Sequence, residues 1–313
     1  MNLLRRYQGI FYPIIGIMAV LMVLSLLSRI VHLDDASLPR PSLTILPEYP
    51  DGITLAQAVL ITEAGMWWLL LSLIFWLAGL FAVGFGWYQL HSATRHQAKA
   101  HGAVRLLYFA VLGFTLAVLF YISQVKGTPL MSFEFVLRNL AHISDGIVDL
   151  TTANTALGIV AVIMMLLSAS LLLLPGAFDN DPARQMRAIT QIMYCGAAFM
   201  LVWVATATEM YRFAAMMLVA EEREEILKLA PTISLTVGVF SSLLLAVAYL
   251  ASYLWLQQCH RRSRLIAAAA DTGQAGPSPR DFLLAHWPKV MALLMPMLPG
   301  AVGSVLGVFA QPV

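Results

Sequence analysis

Three features of the sequence predict an all-α fold, a polytopic helical membrane bundle of about seven transmembrane helices: its composition, the length of its apolar runs, and where its arginines fall. Of its 313 residues 60% are apolar and only 12% charged, with a mean hydropathy of +0.78. Soluble domains carry about 25% charged residues, so the composition is that of a chain built for lipid. Apolar runs cover about 10–31, 56–90, 104–125, 154–175, 188–220, 232–258 and 284–310. Each is at least as long as the roughly 20 residues that a helix needs to cross a bilayer.

The arginines set the expected orientation. With the amino terminus inside, the inner segments collect Arg5, Arg6, Arg95, Lys99, Arg105, Arg184, Arg187, Arg280, Lys289 and the Arg261, Arg262, Arg264 run. Their acids are Asp179, Asp181, Asp271 and Asp281. The positive-inside rule therefore predicts amino terminus cytoplasmic and carboxyl terminus outside, in a cell (inner) membrane. Met1 to Arg6 and the apolar run to Leu27 resemble a secretion signal. No small-x-small cleavage site follows, so a retained anchor is expected.

The stretch from Pro182 to Pro231 carries most of the detail. Without a break it would be about 70 Å of helix against a hydrocarbon core of about 30 Å. Counting 20 residues from its inner end puts the outer boundary near Thr208. The same count along the second run leaves residues 56 to 67 beyond the membrane. Helices two and five are therefore expected to project outward.

Between Lys126 and Leu150, Phe133, Val136, Leu137, Leu140 and Ile143 recur at helical spacing and predict a surface helix. The loop from Leu33 to Gly52 holds Pro39, Pro41, Pro47 and Pro50 and reads as an extended strap. The expected organisation is a single transmembrane domain over 1–313. An outer cap comes from 33–67, 126–153 and 209–231, and a flexible inner linker from 265–281.

The last run is irregular. Pro288, Pro296 and Pro299 interrupt it, and Gly303 and Gly307 stand at the small-xxx-small spacing that lets helices approach closely. Broken membrane helices sometimes line ion sites, but here no acid or asparagine accompanies the prolines, and a kinked packing helix is the plainer reading.

Candidate polar residues fall at the expected outer side. Glu209 and Arg212, three apart, share a helix face and can pair. Glu63, Asp145 and Asp149 lie at similar depth, and with Glu209 they form a candidate acidic vestibule for cations or a basic partner. Against this, both Glu209 and Arg212 can reach water from the headgroups, and outer loops are acidic by default. Glu221, Glu222, Glu224 and Glu225 sit where the chain is expected to turn between spans five and six. They mark a solvated helix end or, alternatively, an outer docking surface.

No cofactor or metal is evident. The seven histidines fall in loops or at span ends, and none makes an i,i+4 pair within a span, which argues against an intramembrane bis-histidyl haem. His91, His96 and His101 share a segment with Arg95 and Lys99 that can touch anionic lipid, although positive-inside topology explains it as well. Lys289, at a span edge, is too exposed for a retinal Schiff base. Cys195 and Cys259 suggest no disulfide framework. Nothing calls for nucleic acid.

Two functions remain. One is a non-catalytic membrane subunit, docking other membrane subunits or further copies of itself through its helix faces and acidic cap. The other is a transporter or channel with a cation-attracting outer mouth. Thr206, Thr208, Ser234, Thr236, Ser241 and Ser242 would line its path, completed in a homo-oligomer. An intramembrane enzyme ranks third, because no acid, base and nucleophile share one depth.

Overall fold

The computed structural model describes residues 54–95, 98–124, 145–174, 177–218, 220–268 and 279–299. The described residues form six α-helices: α1 (Leu55–Thr94), α2 (Ala98–Gln124), α3 (Asp145–Leu171), α4 (Pro182–Met216), α5 (Ala220–Ala268) and α6 (Pro279–Leu294). Short 3-10 turns at Ala177–Asn180 and Met295–Met297 complete them. Four helices, α1, α3, α4 and α5, are long and apolar enough to cross a membrane, and the apolar part of α2 is shorter, Gly102–Ala117. The architecture is that of a multi-pass helical membrane protein. The first expected span and residues 300–313, with Gly303 and Gly307, lie outside the described residues.

Helix ends follow local chemistry. Thr54 opens α1 with a capping box: its hydroxyl accepts from Gln57 N–H at 3.3 Å, and Gln57 Oε1 accepts from Thr54 N–H at 3.0 Å. Asp181 caps α4, accepting from the N–H groups of Ala183 and Arg184, with Pro182 as the first helical residue. Between α3 and α4 the chain turns sharply at Phe178, in the left-handed region at φ 49°. That conformation is uncommon for a bulky residue and is held here by packing of Phe178 on the core.

The break between α4 and α5 differs from expectation. The chain turns at Met217 and Leu218, Leu218 N–H reaching Ala215 O, and Pro231 lies inside α5. Glu221, Glu222, Glu224 and Glu225 thus belong to the opening turns of α5, where the positive end of the helix dipole favours carboxylates. Arg223 reaches back to donate to Leu218 O at 3.1 Å, capping the turn. Pro231 removes the N–H that Leu227 O would accept but leaves the helix unbroken. At 49 residues α5 is the longest helix among the described residues, exceeding the 40 of α1 and the 35 of α4, which the sequence ranks above it. Asp145 to Leu150, expected as the end of a connection, already form the first turns of α3.

α4 is the hub. It packs on α1, α3, α5 and α6, and its apolar stretch is more deeply buried than that of α1. Successive helices from α1 to α5 alternate in direction. Trp68 stacks on Phe213 (5.5 Å), Phe75 on Phe199 (5.2 Å), and Gln89 bonds Gln191, so α1 and α4 are antiparallel. Asn154 meets Ser72 and Trp76, and further along Leu157 lies against Gly79 and Ser168 against Gly86, making α3 parallel to α1. Tyr108 donates to Val83 O at 2.9 Å, tying α2 antiparallel to α1.

The core is two clusters. The larger is centred on Phe75, Met164, Phe199 and Met200, and the smaller comprises Ala64, Trp68, Met210, Tyr211, Phe213, Ala214 and Ala230 at one end of the bundle. Side-chain hydroxyls are satisfied mostly within their own helix. Thr62, Thr94, Thr115, Ser168, Thr206 and Ser252 each donate to the carbonyl four residues earlier, which satisfies a polar group within an apolar helix.

α6 contains Pro288 and gives way to the 3-10 turn Met295–Met297. The cause is legible. Pro299 has no N–H for Met295 O, so Leu298 N–H takes that carbonyl one residue early.

Candidate functional site

The charged residues segregate to the two ends of the bundle. α1 is uncharged from Ala64 to Thr94 and α4 from Ala188 to Thr208, and their antiparallel packing aligns these stretches. The α4 stretch is about 30 Å long at 1.5 Å per residue, the thickness of a hydrocarbon core. One pole carries Glu63, Glu209, Arg212, the starts of α3 with Asp145 and Asp149, and the start of α5 with Glu221, Glu222, Glu224 and Glu225. The opposite pole carries Arg95, Arg105, Arg184 and Arg187.

At the acidic pole, Trp68 and Phe213 stack and lock the start of α1 against the end of α4. Glu209 Oε1 pairs with Arg212 Nη1 at 3.6 Å, with side-chain exposures of 22% and 53%. So long a contact, half in solvent, contributes at most about 1 kcal/mol. Glu209 Oε2 is buried and has no hydrogen-bond partner among the described residues. Thr151 bonds Met210 Sδ at 3.6 Å and Leu150 packs on the same cluster, which places Asp149 on α3 at the level of Glu209.

Glu63 is at this pole but not on this face. Ala64 and Trp68 turn inward to α4, whereas Glu63 is exposed on the opposite stripe of α1 with Val59, Thr62, Met66 and Trp67. The four acids proposed for a vestibule thus share one end, with Glu63 turned away from α4. Glu224 is exposed on α5.

Among the described residues, the fully buried polar side chains are neutral ones. Asn154, 7% exposed, accepts from Trp76 Nε1 at 2.7 Å and donates to Ser72 Oγ at 2.9 Å, joining α1 to α3 at mid-depth. Gln89 donates to Gln191 at 2.8 Å, and Thr206 reaches Leu71 O at 3.3 Å, both joining α1 to α4. Sequence reasoning overlooked Asn154. Its signal was a lone amide inside an apolar run, which at membrane depth has to find a partner.

Asn154→Leu is expected to remove two interhelical hydrogen bonds and strand Trp76 Nε1. At about 0.6 kcal/mol each, and up to 1.7, the loss is about 1–2 kcal/mol. A lower unfolding midpoint in detergent would show it, with Thr152→Leu, on an exposed neighbouring position, leaving the midpoint unchanged.

Between α3, α4 and α5 there is little room for a substrate, whereas an open groove of about 850 Å³ runs along the outer stripe of α1 beside Thr62, Glu63, Met66 and Trp67. A cavity of about 30 Å³ lies between α3, α4 and α5, walled by Met165, Ile192, Met193, Leu245 and Tyr249. That is space for one water molecule. Ser234 and Ser242, 1% and 6% exposed on one face of α5, have hydroxyls without partners among the described residues. Between them Gly238 meets the Met295–Met297 turn. No group of three or more His, Cys, Asp or Glu among the described residues stands close enough to hold a metal ion. The chain matches no family model, no curated protein and no solved structure.

Proposed function

We propose that this chain is a non-catalytic, membrane-embedded subunit of a larger membrane assembly, crossing the bilayer about seven times with its amino terminus cytoplasmic and its carboxyl terminus outside. The observation that carries the reading is the contrast between a closely packed, mainly neutral interior among the described residues and a broad apolar exterior. Inside, amide and hydroxyl groups satisfy one another around Asn154 and Gln89, and the cavity between α3, α4 and α5 admits one water. Outside, α1 presents Leu69, Leu73, Leu77, Leu80 and Phe81, each more than half exposed, to lipid or to neighbouring helices. The separation of acidic and basic poles supports the orientation through the positive-inside rule.

A second reading, a transporter or channel, draws on Ser234 and Ser242. Buried hydroxyls without partners beside a proline-broken turn are the groups that a polar path would use.

One preparation separates the two. The full chain, carrying a photo-crosslinking residue in place of Leu73 or Leu77, is purified in mild detergent. Stoichiometric foreign membrane subunits crosslinked at these positions support the subunit reading. A homo-oligomer that conducts ions in liposomes, with flux lost in Glu209→Gln or Ser242→Ala, overturns it in favour of the second.

A further inference from the structure

The basic pole holds a feature that neither reading uses. Trp87, near the end of α1, is clamped by rings from both helices of the α1–α2 hairpin: Phe109 at 5.0 Å, Tyr108 at 5.2 Å and His91 at 6.2 Å. Tyr108 is 1% exposed and anchored through its bond to Val83 O, so this aromatic platform is rigid. The exposed Arg105 guanidinium lies over the Trp87 ring, 5.7 Å from its centroid, in cation–π contact.

The depth of the platform matters. Gln89 bonds Gln191, one turn from Arg187, where the uncharged stretch of α4 ends. Trp87 and Arg105 therefore lie about one turn inside the boundary of the apolar layer, at the level where amphipathic rings settle and arginine heads reach lipid phosphates. Tyr88 and Phe109, 62% and 54% exposed, flank them on the outward side.

Among the described residues no acid pairs with Arg105. The chain has no Asp or Glu between Glu63 and Glu134, while the same hairpin carries Arg95, Lys99 and Arg105. Neither Arg95 nor Arg105 forms an ion pair among the described residues, whereas Arg184 and Arg212 are engaged by Asp181 and Glu209. Asp181, the acid at this pole whose contacts are described, is committed to capping α4 and to Arg184.

We infer that the α1–α2 hairpin binds the headgroup of an anionic phospholipid, with Arg105, held over Trp87, donating to the phosphate and Arg95 supplying further positive charge. The planar guanidinium, fixed on a ring, keeps its outer N–H groups free for two phosphate oxygens. Acyl chains run along the exposed apolar faces of α1 and α2 beside Phe81, Leu106 and Phe109. The inference rests on the membrane reading above but not on the choice between subunit and transporter.

The test uses the full chain in micelles containing equal phosphatidylglycerol and phosphatidylcholine, with retained lipid read by native mass spectrometry. Phosphatidylglycerol should be retained preferentially. Arg105→Gln should lower its retention about fivefold, the contribution of one basic residue at an anionic surface. Trp87→Leu should act in the same direction, with its melting midpoint checked so that misfolding is recognised. Arg212→Gln, at the other pole, should leave retention unchanged. Equal retention of both lipids, or an unaltered Arg105→Gln, overturns the inference. Complete displacement by millimolar inorganic phosphate also overturns it, by showing a site for free anions. Alkaline extraction distinguishes the premise: a chain stripped from vesicles by carbonate fails the membrane reading itself, whereas one that stays and shows no lipid preference fails this inference alone.

Discussion

Phe75→Ala should be the most damaging single truncation in the bundle. Phe75 is fully buried, stacked on Phe199 at 5.2 Å and tilted against Trp203 at 6.2 Å, where α1, α3 and α4 converge. In water the loss would combine a transfer term with a cavity term. In lipid the transfer term largely vanishes, because the tails are as apolar as the side chain. What remains is the void. About 100 Å³ at roughly 24 cal/mol per Å³ amounts to about 2.4 kcal/mol. Unfolding in mixed micelles, followed by tryptophan fluorescence, should show a midpoint far below that of the parent, with Phe75→Leu recovering most of the difference. A Phe75→Ala chain as stable as the parent would mean that these helices do not pack through this ring.

Gly238→Ala should have the next largest effect, and its sign is informative. A Cβ at Gly238 would lie at only 2.4 Å from Pro296 O and 2.9 Å from Met297 Cα, all backbone atoms that cannot rotate aside. The helix α5 and the Met295–Met297 turn must separate, at a cost of about 1–3 kcal/mol. The comparison is Gly84→Ala on α1, where nothing lies within 4 Å of an added Cβ. There the methyl only improves helix propensity, and the change should be neutral or stabilising by about 0.5–1 kcal/mol. Opposite shifts in melting midpoint for these two substitutions would establish the close approach. A parallel response would show that α6 and its turn do not sit on α5 in this way.

The parts of the fold that were legible share a cause. The long α1 and α4 could be read because apolar length and terminal charge report directly on the solvent, as Glu63, Arg95, Arg187 and Glu209 do at the ends of their runs. Glu209 and Arg212 pair as their i,i+3 spacing implies. The start of α5 was obscured by Pro231, which reads as a breaker but is tolerated early in a long membrane helix. Asp145 and Asp149 read as part of a connection because carboxylates favour solvent, although the first turns of a helix also accept them. The pairing of Asn154 with Ser72 and Trp76 was invisible, since spacing within one run says nothing about a partner 82 or 78 residues away.

Composition and charge order alone were enough to identify a helical chain made for lipid, with most of its acids at one end of its helices and most of its arginines at the other. They worked because the costs of exposing a peptide group or burying an ion in hydrocarbon are large and depend only on residue type. Which side of each helix turns inward was left to the packed bundle. Lipid offers little contrast between a leucine facing a tail and a leucine facing a neighbour, so the pattern along a run does not mark its buried face. The choice falls to a few close fits, Gly238 against Pro296, Phe75 against Phe199 and Asn154 between Ser72 and Trp76, which exist only once distant helices have met.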